Sequence, residues 1–81
     1  DEMERLDEYK VLTENIRYYR MKANLTQEQL AEKSDLSVSY IKQLESGKEF
    51  KNITFNSFSK IAKALNISVK QLFTENNKLG V

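Results

Sequence analysis

The sequence predicts an all-α fold. Proline is absent and only two glycines occur among the 81 residues, so few positions would interrupt a helix. Apolar residues recur every three or four positions along most of the chain, which is the spacing of an amphipathic helix, and no alternating strand pattern persists. Because a chain of this length supports one domain, we expect a single compact domain built from five helices.

Two of these helices lie in the first part of the chain. The first is predicted from about Asp7 to Lys22, with its end near Asn24, because asparagine tolerates the left-handed conformation that closes many helices. The second starts after Thr26, whose hydroxyl can cap it while Gln29 completes a capping box, and it ends near Ser34. The apolar residues that we expect to face the core are Val11, Leu12, Ile16, Tyr19, Leu30 and Ala31.

Three further helices are predicted after a short turn, Asp35-Leu36. The third helix follows the Ser37 cap and ends before Gly47, and the fourth begins at Phe55 or Asn56 and ends at Asn66. The fifth begins after the Ser68 cap and extends to Phe73. The residues expected in the core are Leu36, Ile41, Leu44, Ile61 and Leu65. The other apolar members of these helices are Tyr40, Phe58, Ala62, Val69, Leu72 and Phe73.

The composition excludes several kinds of site. The chain has no cysteine and no histidine, so disulfides, thiolate metal sites and imidazole general bases are ruled out. Since no nucleophile–base pair, metal cluster or phosphate-cradling loop is evident, we predict a protein that is not an enzyme and has no metal or cofactor. No apolar run approaches the ~20 residues of a membrane span, and the amino terminus is acidic where a signal peptide would be basic. We therefore expect a cytoplasmic protein.

Charge is divided unevenly along the chain, although the net charge is only +1. Residues 1–14 carry six acids and two bases, whereas residues 15–81 carry eleven bases and six acids. We divide the chain into an acidic amino-terminal extension (1–9), a domain (10–74) and a short tail (75–81). A basic body is compatible with contact to phosphates, and the alternative is a solvated surface of mixed charge.

The predicted third helix has one face without acids. With Ile41 and Leu44 directed to the core, helical geometry turns Glu45 back toward the body of the domain. Hydroxyl groups, an amide and one lysine on the opposite side can approach base edges and phosphates without charge repulsion, and the alternative is an ordinary solvated helix face. The residues on that side are Ser39, Lys42, Gln43 and Ser46, flanked by Val38 and Tyr40.

The segment LTQEQLAEKSDLSVSYIKQLESGK, residues 25–48, resembles the helix-turn-helix of the Cro/cI-type family, also called phage-repressor-like or XRE. IRYYRMKANLT (16–26) is similar to the family's first helix, and NITFNSFSKIAKALNISVKQLF (52–73) is similar to its fourth and fifth. The motifs LTQEQLA, SYIxxLExGK and IAxALNIS stand in the family's order and spacing, and the resemblance covers about residues 10–74. It implies a five-helix, lambda-repressor-like domain that binds double-stranded DNA with its third helix in the major groove, usually as a two-fold dimer on a near-palindromic operator.

The resemblance also implies roles for single residues. Gln27 matches a position that contacts a phosphate from the start of the second helix. Arg20 and Glu45 match a pair joined inside the domain, which we interpret as a structural ion pair. Val38, Ser39 and Gln43 match positions that face the bases. Tyr40 and Lys42 match positions that touch a base or the backbone. Lys48, Lys51 and Asn52 match the loop that contacts phosphates. With the helix cap included, the predicted DNA-binding residues are Gln27, Ser37, Val38, Ser39, Tyr40, Lys42, Gln43, Lys48, Lys51 and Asn52.

Two features depart from the commonest family pattern. Asp35 stands where many members have glycine, but aspartate tolerates the left-handed region, so we expect the turn to form. The loop from Gly47 to Phe55 is longer than in the shortest phage repressors. It is similar to the loop of restriction–modification controller proteins and of SinR-like regulators.

The sequence therefore predicts a sequence-specific transcriptional regulator of the repressor or autoregulator kind. Two alternatives stay open: an antitoxin-type autoregulator, and a protein-interaction module that does not bind DNA. We expect no small-molecule or membrane partner, and an acidic extension that is helical and points away from DNA. A homodimer is expected, with some of Val69, Leu72, Phe73 and Leu79 at its two-fold interface, and the alternative is that they only close the monomer's core.

Overall fold

The computed structural model describes residues 2–48 and 53–75, with side chains described from Tyr9 onward. Five helices follow one another: α1 (Glu2–Lys22), α2 (Gln27–Ser34), α3 (Val38–Glu45), α4 (Phe55–Leu65) and α5 (Val69–Leu72). The described residues contain no strand, so the predicted all-α class is confirmed. Because α1 packs against α3, α4 and α5, while α2 packs against α3 and α4, the helices enclose one core.

The first helix begins earlier than the sequence indicated. It starts at Glu2 rather than near Asp7, so the predicted start is wrong, whereas the expectation that the acidic extension is helical is confirmed from Glu2 onward. Residues 2–6 read EMERL, and all five are strong helix formers. The helix therefore continues through the acidic segment without a break.

Side-chain caps set the starts of the four shorter helices. Thr26 and Ser68 form capping boxes at the starts of α2 and α5. Ser37 and Thr54 cap α3 and α4 by accepting a hydrogen bond from the backbone N–H three residues further on. Each cap satisfies one of the N–H groups that a helix start leaves unpaired, so these short helices begin at defined residues.

Left-handed residues set the ends of three helices. Asn24, Asp35 and Asn66 follow α1, α2 and α4, and each has φ of +57° or +58°. Asparagine and aspartate enter this region more readily than other side chains that carry a Cβ. Asp35 thus replaces glycine in the turn between α2 and α3, as the sequence analysis expected.

Each helix contributes a fully buried side chain to the core. The largest of them are Ile16, Leu30, Ile41, Ile61 and Leu72, one from each helix in chain order. The pattern of apolar residues predicted the burial of the first four, whereas Leu72 was expected either at a dimer interface or in the monomer's core. Since α3 is held through Ile41 and its neighbour Leu44, its opposite side is left exposed.

Three expectations about apolar residues need correction. Leu36 is half-buried and packs against the core from outside rather than within it. The fifth helix ends at Leu72, so Phe73 caps it instead of belonging to it. Phe73 is 42% exposed, and its ring stands edge-on to that of Phe58 with 5.2 Å between the ring centroids. Leu72 is fully buried and is therefore unavailable to a second protomer.

Asn15 is a buried polar residue that the pattern of apolar residues did not indicate. Only 2% of the residue is exposed. Its Nδ2 donates to the carbonyl oxygens of Thr74 at 2.7 Å, Leu72 at 2.8 Å and Gln71 at 3.1 Å. The last carbonyls of a helix have no partner within it, so Asn15 satisfies the end of α5 and fastens that helix to α1.

Replacing Asn15 by aspartate should lower the free energy of unfolding by about 3 kcal/mol or more, because a donor is lost and a charge faces carbonyl oxygens. Asn56→Asp, an exposed substitution in the first turn of α4, serves as the control and should be neutral. Urea unfolding followed by circular dichroism measures both. Equal midpoints for the two variants would show that the contact with α5 contributes nothing.

Candidate nucleic-acid interface

The exposed side of α3 is polar and carries no acid. Ser39, Lys42 and Gln43 are exposed, while Val38 and Tyr40 are half-buried and pack against the core. The side chains of Ser39 and Gln43 form no hydrogen bond with another described residue. Their hydroxyl and amide groups are therefore available to a partner, whereas Val38 and Tyr40 offer only part of their surface.

Two hydroxyl groups at the ends of α3 serve the helix itself. Ser37 Oγ accepts the N–H of Tyr40 at 3.1 Å. Ser46 Oγ donates to the Gln43 carbonyl at 2.7 Å and accepts the N–H of Lys48 at 3.3 Å. Ser37 keeps its hydroxyl proton for an external acceptor, but Ser46 has already used its proton.

Glu45, the acid of α3, lies inside the domain and is paired with Arg20 of α1. Arg20 Nε donates to Glu45 Oε2 at 2.7 Å and Nη2 donates to Oε1 at 2.9 Å, while Nη1 donates to the Leu25 carbonyl at 2.8 Å. The exposed fractions of the two side chains are 13% and 4%. The hydrogen bonds with Glu45 raise the pKa of the Arg20 guanidinium above its ordinary value, so this arginine stays charged at any physiological pH.

Gln27, at the start of α2, also contacts Glu45. Its Nε2 donates to Glu45 Oε1 at 3.2 Å, so one of its two amide protons is used within the domain. The other proton and the carbonyl oxygen remain. The amide is held in one orientation beside α3 as a result.

The structure gathers part of the predicted set around one open cleft. Gln27 and Lys42 line it together with Arg17, Arg20, Glu45 and Ser46. Lys48 stands three residues after the end of α3 and is exposed. Lys51 and Asn52 lie outside the described residues, so their predicted roles are neither placed nor tested.

Arg17 is a candidate that sequence reasoning missed. It is exposed on α1 and lines the same cleft. The available signal was its spacing, because Arg17 precedes Arg20 by three positions and residues so spaced share a helix face. Because Arg20 lies beside α3, Arg17 on the same face of α1 lies near α3 as well.

Within the described residues, no group of histidine, cysteine or acidic side chains could hold a metal ion. No described helix combines the length and the apolar character that crossing a membrane requires.

A family model described as helix-turn-helix matches residues 16–72, more than half of the chain. The control protein C.SmaI of Serratia marcescens is 45% identical over 69 residues, which are 85% of this chain and 80% of that protein. A solved structure of a hypothetical transcription factor, NHTF from Neisseria, is similar with a TM-score of 0.82 at 29% identity, covering 90% of this chain and 80% of that one. The restriction-modification controller protein C.AhdI from Aeromonas hydrophila gives a TM-score of 0.71 at 33% identity, covering 78% and 92%.

The fold, the exposed face of α3 and these matches agree. The chain belongs to the helix-turn-helix family, and it is a DNA-binding transcriptional regulator. The resemblance to the Cro/cI type, and in particular to restriction–modification controllers, is thereby confirmed.

Replacing Arg20 by alanine should destabilise the domain, because it leaves the Glu45 carboxylate buried without its cation. Breaking such a pair costs about 3–5 kcal/mol. Adding Glu45→Gln to the variant should recover part of the loss, since no buried charge then remains. Arg17→Ala, an exposed substitution on the same helix, is the matched control, and thermal unfolding is the measurement. An Arg20 variant that melts with the parent would contradict a structural role for the pair.

Proposed function

We propose that this protein is a sequence-specific regulator whose dimer inserts two α3 helices into successive major grooves of a near-palindromic operator, about one helical turn apart. The observation that carries the proposal is the exposed face of α3, from which every acid is absent because Glu45 is turned inward. An anionic duplex can approach such a face closely. No chemical reaction, metal or cofactor is part of the proposal.

Base reading is assigned to the exposed polar side chains in the middle of α3. Gln43 presents a donor and an acceptor that match the edge of adenine, and Ser39 can donate or accept. Half-buried Val38 and Tyr40 can add contacts at the margins through the surface that they leave exposed. Phosphate contacts, which position the protein without reading sequence, are assigned to Gln27, Ser37, Lys42, Lys48, Lys51 and Asn52.

The regulated system that we propose is a restriction–modification operon. The support is the 45% identity to the control protein C.SmaI over 85% of the chain, together with the structural similarity to the controller C.AhdI. By occupying an operator, such a protein blocks or recruits polymerase. Since the partner is DNA, we place the protein in the cytoplasm.

A second copy of the chain is the proposed partner of an aromatic patch, Phe55, Phe58 and Phe73. Phe55 is 72% exposed and Phe73 is 42% exposed. Phe58 stands one turn after Phe55 on α4 and touches Phe73. Of the residues expected at the interface, Val69 is half-buried and Leu79 lies outside the described residues. We therefore assign the two-fold interface to this aromatic patch instead of to Leu72.

The acidic extension remains assigned to the side away from DNA, where its charge would not oppose binding. Its backbone is helical from Glu2, and its side chains up to residue 8 lie outside the described set. Neither an antitoxin role nor a protein-interaction role is favoured by a described contact. The protein-interaction role is an outcome of the binding experiment below.

Gln43→Ala should relax the preference for one base pair in each half-site, because a bidentate amide–adenine contact discriminates by about 1–3 kcal/mol. Affinity for unrelated duplexes and its salt dependence should barely change, since no charge is removed. Lys48→Ala is the matched control and should weaken binding to all duplexes alike. The measurement is binding of parent and variants to every single-base change in the operator selected by the parent.

Two outcomes of that experiment would count against the proposal. If Gln43→Ala keeps the parent's preference at every base pair, α3 does not read sequence through this residue. A DNA-binding protein should lose affinity steeply as salt is added. If the parent shows no such binding to any duplex, the protein-interaction alternative replaces DNA reading as the role of this face.

Phe73→Lys should convert the dimer into monomers while the domain stays folded, because Phe73 is partly exposed and Leu72 continues to close the core. Met21→Lys, which changes another exposed apolar residue (57%) on α1, is the control and should leave the dimer intact. Sedimentation equilibrium measures the oligomeric state, and circular dichroism confirms folding. A parent that sediments as a monomer at high concentration, with and without DNA, would remove the dimer from the proposal.

A further inference from the structure

The cleft beside α3 has walls from three helices and an excess of positive charge. It encloses about 330 Å³ and is open to solvent. Arg17 and Arg20 come from α1, Gln27 from the start of α2, and Lys42 and Glu45 from α3. Three cations thus stand against one carboxylate.

That carboxylate is already satisfied. Glu45 accepts two hydrogen bonds from Arg20 and one from Gln27. The charge of Arg20 is used in the same pair, so it contributes little to an incoming ligand. What remains in the cleft is the charge of the two other cations.

Arg17 and Lys42 are both exposed, and neither forms an ion pair with a carboxylate of the described residues. They approach the cleft from different helices. Two unpaired cations from different helices in one cleft favour a small anion with several acceptor oxygens, and a phosphate group has that chemistry.

We infer that this cleft binds one backbone phosphate of DNA, held between Arg17 on α1 and Lys42 on α3. The inference rests on the proposed function, because Lys42 lines the cleft and is also exposed next to Gln43 on the helix that we propose enters the major groove. Arg17 then clamps the strand from outside the helix-turn-helix, and the buried pair of Arg20 and Glu45 fixes the distance between the two walls.

The test begins with Arg17→Ala, Lys42→Ala and the double variant, with Lys63→Ala, an exposed cation of α4, as the control. Each single variant should bind every duplex on the order of tenfold more weakly, as expected for loss of a charge-assisted hydrogen bond. If both cations hold one phosphate, the salt slope of log K should fall by about 0.9 in the double variant. A fall of about 1.8 would indicate two separate phosphates and overturn the shared site.

Neutral methylphosphonate links, placed one at a time along the operator, then locate the phosphate. One position should weaken the parent and the Lys63 variant most, weaken the Arg17 and Lys42 variants less, and have no further effect on the double variant. If the parent binds the operator and no position shows this coupling, the clamp is wrong while the proposed function stands. If the parent binds no duplex, the proposed function itself fails.

A competition experiment distinguishes a DNA phosphate from a free anion as the ligand of the cleft. Inorganic phosphate and chloride at matched ionic strength are expected to weaken operator binding equally. Selective competition by inorganic phosphate would instead assign the cleft to a free anion.

Discussion

The position of α3 depends on the guanidinium of Arg20. This planar group bonds both carboxylate oxygens of Glu45 on α3 and the carbonyl of Leu25, just before α2. One side chain thus joins α1, the connection to α2, and α3, which lies 25 positions further along the chain. The angle between α2 and α3 therefore rests on a polar contact at one side and on burial of Ile41 and Leu44 at the other. Because the ion pair is nearly enclosed, neither partner can be removed alone without leaving a buried charge.

The third helix has only eight residues, which is too short to be stable by itself in water. Its shape comes from its surroundings: a serine cap at each end, two buried apolar side chains and the pair with Arg20. The exposed side chains of Ser39 and Gln43 form no hydrogen bond with another described residue. Because the helix is held rigid by its surroundings, little backbone conformational entropy is lost when its outward side chains contact another molecule.

Much of this arrangement was predictable because it depends on local signals. Caps such as Thr26 and Ser68, the left-handed Asp35 and Asn66, and the spacing of buried residues are all determined within a few positions of sequence. The predicted start of α1 was wrong because strong helix formers can extend a helix without a capping residue that marks where it begins. The roles of Asn15 and Arg17 could not be predicted from local signals, because they depend on how separate segments pack together. Asn15 bonds a segment 56 to 59 positions away, and Arg17 gains its meaning only when α1 is laid beside α3.

The separation of buried from exposed side chains on α3 has an evolutionary consequence. Ser39 and Gln43 can be exchanged at little cost in folding free energy, since surface substitutions away from caps and pairs usually change it by less than about 0.5 kcal/mol. Arg20 and Glu45 have no such freedom. A duplicated copy of this domain could therefore acquire a new target through one or two substitutions and stop competing with its parent, because recognition can diverge while the scaffold is held constant.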